Sequence, residues 1–394
     1  MNVKVGQRSV GAARVIGALL VALLAACGGT QTGTSGSAEP VTIGLLQSYQ
    51  GGLASYGVGE TQGAQFFADQ INQKGGINGH RLQFVTADDQ TDPRIVVQQL
   101  QGLIDNAKVI GIFGPSGSAT AVAAKPIAED QKIVLLSTSG AVALTNPPAN
   151  WYFRATLTND QNAQVVLNFL GKTKGAKRIA VIRADDSFGQ SGVASFKKFA
   201  AQFGVSIVSD VAYPPDATNM TTQVTTARSS NPDAYIVWDS SARLPTVLKN
   251  LRDQGVTSLP IVGPSNTGLA DTIKVAGDAV NGVYGTGQLA VDDPRPGTQK
   301  SFVDAWKAKH NGGPPDDATM FGYAGMELVY RAVKSVLDSN KKLTRQTLRD
   351  ALEETRDYDT VFGHVTYGPG NHDPLPLSEL QLIQVKNGMR LRAA

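Results

Sequence analysis

From residue 41 onward, apolar residues alternate between two periods. Short β-branched runs read as buried strands: "VTIGLL" (41–46), "RLQFVTADD" (81–89), "VIGIF" (109–113) and "IVLLS" (133–137). Between them, "VGETQGAQFFADQINQKGG" (58–76), "PRIVVQQLQGLIDN" (93–106) and "SATAVAAKPIAEDQ" (118–131) carry the helical period, the first stopped by paired glycines and the second opened by proline. Pro126 is expected to kink or end the third helix early. A second series begins near residue 158. A helix there leads to strands at 178–184, 205–213, 234–238 and 259–263, separated by helices at 188–204, 218–229 and 241–254. Strands spaced by helices of this length imply right-handed crossovers and parallel sheets with helices on both faces, and two such series imply two α/β lobes.

The final third changes pattern. Helices at 298–310, 319–339 and 344–354 follow one another with little strand between them. "VFGHVTY" (361–367) and "LSELQLIQVKNG" (377–388) then read as a closing strand pair. Helices this late must pack on a lobe already begun, so the chain is expected to cross between lobes more than once.

The first 40 residues stand outside this pattern. Lys4, Arg8 and Arg14 precede "VIGALLVALLAA" (15–26), an apolar run too short to span about 30 Å of hydrocarbon. This reads as a secretory signal over 1–26. It ends at "LAAC", and Cys27 is the single cysteine of the chain. The segment resembles the lipobox of bacterial lipoproteins, which implies acylation of Cys27 as the new N-terminus. "GGTQTGTSGSAEP" (28–40) buries too little to fold and reads, from 27 to 40, as a flexible tether. Removing 1–26 removes three basic residues and no acid, leaving 33 of each sign. The formal charge of +3 therefore belongs to the signal and gives no argument for nucleic-acid binding.

Candidate chemistry narrows quickly. "GPSGS" (114–118) and "GQSGV" (189–193) miss the G-x-S-x-G elbow of a serine hydrolase. "GVGETQG" (57–63) has the wrong spacing, and lies too far from its strand, for a dinucleotide fingerprint. No metal-ligand spacing and no cofactor motif is present. His80, His310, His364 and His372 sit in polar turns and read as surface residues; the acids of "DDQTDP" and "ADDS" read as strand ends and helix caps. "GPSGSAT" (114–120) fits an anion cradle better: a strand ends at Phe113 and a helix begins near Ser118. Glycines there allow close backbone approach, and Ser116, Ser118 and Thr120 add hydroxyls. "STSGA" (137–141) repeats this at the next strand end.

These segments, with "GAQFFADQINQKGGINGHRLQFVTADDQTDP", "YFRAT", "RIAVIRADDSFGQSG" and "GDAVNGVYG", resemble the branched-chain amino-acid type of extracytoplasmic substrate-binding protein that feeds ABC importers. The resemblance runs through the whole body. It implies a type I periplasmic-binding fold: two doubly wound, Rossmann-like lobes joined by three crossover strands near residues 157, 287 and 363. Lobe 1 would comprise 41–157 plus 288–362, and lobe 2 would comprise 158–287 plus 363–394. It further implies a monomer without cofactor, a small-molecule ligand, ABC permease subunits as partners, and contact with the membrane through the lipid anchor only.

Carried across residue by residue, the resemblance places the carboxylate-gripping serine at Ser118, beside Ser116, and the ligand-facing segment at Ser139, Gly140 and Ala141. Tyr56 matches an aromatic of the first loop, and Phe188 replaces a second-lobe tyrosine. Trp238, Asp239 and Ser240 would wall the site. The acid that usually meets an α-ammonium falls on Ser265, and a threonine hydroxyl is lost at Ala141. A buried ammonium needs a charged partner. Either Asp239 or another acid substitutes, or the ligand is an amine-free, aromatic or aliphatic acid. A receptor's ligand-sensing protein and a binder of amides or urea-like solutes are the alternative functions.

Overall fold

The computed structural model describes residues 38–393. The signal, Cys27 and the tether up to residue 37 lie outside them.

A five-stranded parallel sheet opens the body. It is formed by β1 (Val41–Gln47), β2 (Leu82–Asp88), β3 (Val109–Phe113), β4 (Val134–Ser137) and β5 (Tyr152–Arg154), in the order β2-β1-β3-β4-β5. Every residue of β1 is buried, as a strand covered on both faces requires. The connecting helices are α1 (Ala54–Gln73), α2 (Pro93–Asp105) and α3 (Ser118–Gln131). Asp92 caps α2, its carboxylate accepting from the Arg94 N–H. Pro126 does not end α3, which runs on to Gln131. The carbonyl it leaves without a donor, four residues back at Val122, lies at an exposed position where water serves.

The second sheet is built the same way from α4 (Asn159–Asn168), β6 (Arg178–Ala184), α5 (Ser187–Phe199), β7 (Ser206–Tyr213), α6 (Thr221–Ser229), β8 (Ala234–Trp238), α7 (Leu244–Asp253), β9 (Ile261–Gly263), α8 (Ala270–Ala276) and β10 (Tyr284–Gly285). Asp186 caps α5 through the Gly189 N–H. The chain then returns to the first lobe. In α9 (Thr298–Lys309), α10 (Asp317–Asp338) and α11 (Arg345–Glu353), residues such as Phe302, Met326 and Leu348 join the core formed by β1, β4 and α1. Helices α2 and α3 cover the opposite face of that sheet.

The closing segment pairs differently from expectation. β11 (Tyr358–Thr360) and β12 (Gly363–Val365) form their own small antiparallel ribbon. β13 (Ile383–Lys386) and β14 (Met389–Arg392) extend the second sheet as an antiparallel hairpin beside β10, giving β14-β13-β10-β9-β8-β6-β7. The turn Asn387-Gly388, both at positive φ, is the hairpin signal that separates these two strands. Val365, Tyr367 and Leu375 pack into the first core and Leu380 against it, while Leu382 joins a core of the second sheet.

Candidate functional site

The carboxyl ends of β1, β3, β4 and β5 meet at one edge of the first sheet, with Phe113 opposite Leu136 and Ser137 opposite Arg154. The loops that leave them face the loops after β8 and β9. In open α/β sheets this end is where a ligand binds.

The loops after β3 and β4 are knitted by serine hydroxyls. Ser137 Oγ donates to the Pro115 carbonyl at 2.6 Å, and Ser139 Oγ lies 3.0 Å from the carbonyl oxygens of Pro115, Ser116 and Gly117. Strand period places 137 and 139 on this inner side and turns Thr138 the other way. Ser139 therefore supports the loop rather than lining the cavity, and Thr138 lines it instead.

Arg154, fully buried at the end of β5, fixes the direction of the 139–141 backbone. Its guanidinium donates to the Ser139 carbonyl, to the Ala141 carbonyl at 3.0 Å and to Thr145 Oγ1 at 2.9 Å, and it pairs with Asp373 at 2.8 Å. In a trans peptide the N–H points opposite its carbonyl. Holding the Ser139 carbonyl on Arg154 thus turns the Gly140 N–H away from Arg154, at a residue that lines the cavity. The Gly140 carbonyl accepts from Asn159 N–H at 2.8 Å, which turns the Ala141 N–H onto Ser118 Oγ at 3.3 Å. Ala141 is buried behind Ser118. A side chain at position 140 would come within 3.2 Å of Phe188.

His372 is buried, contrary to the surface position expected of it. β5 is the edge strand, and the His372 segment covers that edge: the Arg154 N–H donates to the His372 carbonyl at 3.0 Å. The imidazole stacks on Phe153 with ring centres 3.8 Å apart, and its Nδ1 lies 2.8 Å from the Tyr152 carbonyl. Its Nε2 lies 3.3 Å from Glu353 Oε1.

These groups enclose a cavity of about 40 Å³ between the lobes. Ser116, Ser118, Thr138 and Gly140 line it from the first lobe, and Phe188, Ser240 and Ser265 from the second; Thr156 and Thr286 come from the passages between lobes. Leu53, Leu157 and Phe321 supply apolar wall, and no ionisable side chain other than the Tyr56 phenol lines it among the described residues. α3 begins at Ser118 on a Gly117 that offers no side-chain cap, so the first N–H groups of this helix remain for a ligand. A wider opening of about 650 Å³, bordered by Asp92, Arg94, Asp186 and Arg243, shares Leu53, Ser118, Phe188 and Ser240 with the cavity and forms its mouth.

Of the residues expected at the site, Tyr56, Ser116, Ser118, Gly140, Phe188, Ser240 and Ser265 line the cavity. Trp238 and Asp239 do not. Trp238 is fully buried behind Phe188, stacked on it at 5.4 Å, edge-on to Phe196 and donating to Asn159 Oδ1 at 3.2 Å. Asp239, fully buried as well, accepts from Tyr213 Oη at 2.6 Å and from the Ser241 N–H at 2.7 Å, with Arg243 Nε at 3.5 Å. Its charge is spent inside the second lobe. Thr138, Thr156, Asn162 and Thr286 were not anticipated. The hydroxyl cluster "STSG" was the available signal for Thr138; Asn162 sits on α4 with no spacing to mark it.

Beneath the cavity lies Glu60, fully buried on α1. α1 and α10 pack so closely above it that a side chain at Gly63 would come within 1.9 Å of the Thr319 carbonyl. Burial pushes its carboxyl up to about 7, against hydrogen bonds from Thr138, Ser116 and Gln47 that pull it down.

The lobes touch across the cleft. Tyr56 Oη and Ser265 Oγ lie 2.5 Å apart, Ser55 Oγ donates to Asp271 at 2.6 Å, the Ala242 N–H to the Gly52 carbonyl at 2.9 Å, and the Val142 N–H to Ser191 Oγ at 3.1 Å. Burial pushes the Tyr56 phenol upward, so it stays protonated.

Comparison with known proteins gives a consistent picture. Residues 40–389 match the model of a family described as periplasmic binding protein. The Leu/Ile/Val-binding protein BraC3 of Rhizobium johnstonii is 25% identical over 334 residues, covering 83% of this chain and 87% of that protein. The leucine-, isoleucine-, valine-, threonine- and alanine-binding protein of Pseudomonas aeruginosa is 23% identical, over 81% and 84%. Among solved structures, an extracellular ligand-binding receptor from Rhodopseudomonas palustris superposes with a TM-score of 0.81 at 23% identity, over 90% of this chain and 99% of that one. The branched-chain amino acid transporter substrate-binding protein LivJ of Streptococcus pneumoniae, in complex with isoleucine, gives 0.79 at 21%, also over 90% and 99%.

Proposed function

The chain belongs to the periplasmic binding protein family, whose members bind solutes rather than transform them, and from that premise we propose that it captures a small carboxylate-bearing ligand, an amino acid or related organic acid, and delivers it to an ABC importer. The observation that carries this reading is the convergence at Ser118. There the open end of α3, the Ser118 hydroxyl and the Gly140 N–H, turned away from Arg154, meet at one small cavity. Preorganised N–H donors and a helix N-terminus favour a carboxylate oxygen without adding a cation. Ligand docks on the first lobe, and the second closes over it, completing contacts such as Tyr56 to Ser265. Acylated Cys27 tethers this body to the outer face of the membrane. The lobes divide at passages near Leu157, Thr286 and Leu380, where the chain leaves one set of core residues for the other. The names of the relatives support branched-chain or small aliphatic amino acids as the first ligands to try.

The neutral lining favours one second reading, a compact amide or urea-like solute. Thermal stabilisation of the whole chain separates the two, because binding to the folded state raises its midpoint. Amino acids or amine-free carboxylates raise the midpoint on the first reading, and Ser118→Ala weakens them roughly tenfold or more, as loss of a charge-assisted hydrogen bond does. Stabilisation by amides alone would overturn the carboxylate assignment.

A further inference from the structure

The relatives' ligands carry an ammonium, yet Ser265 stands where the resemblance expects an acid, and Asp239 is engaged elsewhere. The floor of the first lobe offers another source of negative charge. Thr138 Oγ1 donates to Glu60 Oε1 at 2.6 Å; Ser116 Oγ lies 2.8 Å from Glu60 Oε2 and 2.6 Å from Gln47 Oε1. A hydroxyl has one proton to give. Both protons are committed downward, so Ser116 and Thr138 turn lone pairs into the cavity they line. Asn162 adds a third acceptor: its Nδ2 donates to the Thr158 carbonyl at 3.1 Å, while its buried Oδ1 has no partner. One side of the cavity thus donates, from Gly140 and α3, and another accepts.

We propose that Glu60 is the counter-charge for an amino group on the ligand, acting through the hydroxyls of Ser116 and Thr138, and that it sets the site's preference for amino acids over amine-free acids. This rests on the carboxylate reading above. An N–H donor resting on those hydroxyls sits about 4–6 Å from the carboxylate, close enough for the two charges to stabilise each other. Glu60 is a positioning residue here, since it touches the hydroxyls and not the ligand. Asn162 and the two hydroxyls would suit any N–H; the charge beneath them selects the ammonium.

A pH signature follows. The ionisable groups around Glu60 are Asp89, which raises its proton affinity, and the phenols of Tyr49 and Tyr56, themselves pushed upward; Gln47 and the Gly322 backbone of α10 are neutral. With its carboxyl at about 7, Glu60 is partly protonated near neutrality. An ammonium favours the ionised form, so its binding expels that proton. Affinity for amino acids then falls as pH drops below about 7, by at most roughly tenfold per unit, and is steady above it.

The test is calorimetry on the whole chain at pH 6, 7 and 8, in two buffers of different protonation enthalpy. The probes are L-alanine, L-valine and L-leucine, set against propionate, 3-methylbutanoate and 4-methylpentanoate. Wild type should bind amino acids with proton release and with affinity rising from pH 6 to 8. Glu60→Gln should lose roughly tenfold or more for amino acids, lose the pH dependence, and keep its affinity for the amine-free acids. Thr138→Val, which leaves Glu60 in place, should shift the same preference in the same direction should Glu60→Gln fail to fold. Equal weakening of both ligand sets, or amino-acid binding indifferent to either substitution, would overturn the proposal. Wild type binding only the amine-free acids would overturn it and leave the carboxylate reading standing; wild type binding neither set would remove both.

Discussion

Arg154 shows how a residue that never touches the cavity can define it. Its planar fork holds the carbonyls of Ser139 and Ala141 at once, and with them the direction of the Gly140 N–H. Lysine carries the charge but not the fork. Arg154→Lys should lower stability by about 2–4 kcal/mol and weaken ligand binding by roughly tenfold or more, since it leaves buried carbonyls unmatched. Denaturant unfolding and calorimetry together check this, and a variant with wild-type affinity would show that the 139–141 backbone holds its direction unaided. Arg154 was not legible in the sequence as a site residue because its partner Asp373 lies 219 positions away. Ser118 was legible from the cradle motif itself, whereas Tyr56, Phe188 and Ser265 were reached only through the family resemblance. Ser139 and Thr138 exchanged roles for a simple reason: along a strand a shift of one residue reverses the face, and the motif alone does not fix which face is inward.

At the scale of elements, alternation of strand and helix was readable wherever both faces of a strand are buried, as in β1, β3, β6 and β8. The three late helices were readable too, but the pairing of the closing strands was not. β11 to β14 are three or four residues long, and the first two pair with each other while the last two join the second sheet. "GQSGV", which fails as a nucleophile elbow, has a structural purpose instead. A side chain at Gly192 on α5 would lie 2.1 Å from Trp238 Cδ1 and Nε1. Trp238 has no room to retreat, being stacked on Phe188 and edge-on to Phe196. Gly192→Ala should therefore destabilise the protein by about 1–3 kcal/mol and displace Phe188 from the cavity wall. Denaturant unfolding followed by tryptophan fluorescence reads the first effect and ligand affinity the second; an unfolding midpoint equal to wild type would mean that α5 shifts freely, and that the Phe188 wall is not held by this packing.

At the scale of the whole molecule, two sheets with their own cores are joined by three passages and face each other across a cleft lined largely by polar groups. Leu269 of the second lobe reaches the first core. Contacts such as Tyr56 to Ser265 and Ser55 to Asp271 hold the cleft shut, while Leu53, Leu157 and Phe321 bring the edge of the first core to its wall. Interfaces made of a few hydrogen bonds between rigid bodies permit hinge motion, and a ligand that completes the closed cavity shifts the population toward it. The most direct test of the account is small-angle X-ray scattering of the whole chain with and without a saturating ligand identified by thermal stabilisation. Capture by closure predicts a smaller radius of gyration with ligand, and loss of that compaction in Ser118→Ala at the same ligand concentration. An unchanged radius of gyration at full saturation would contradict it.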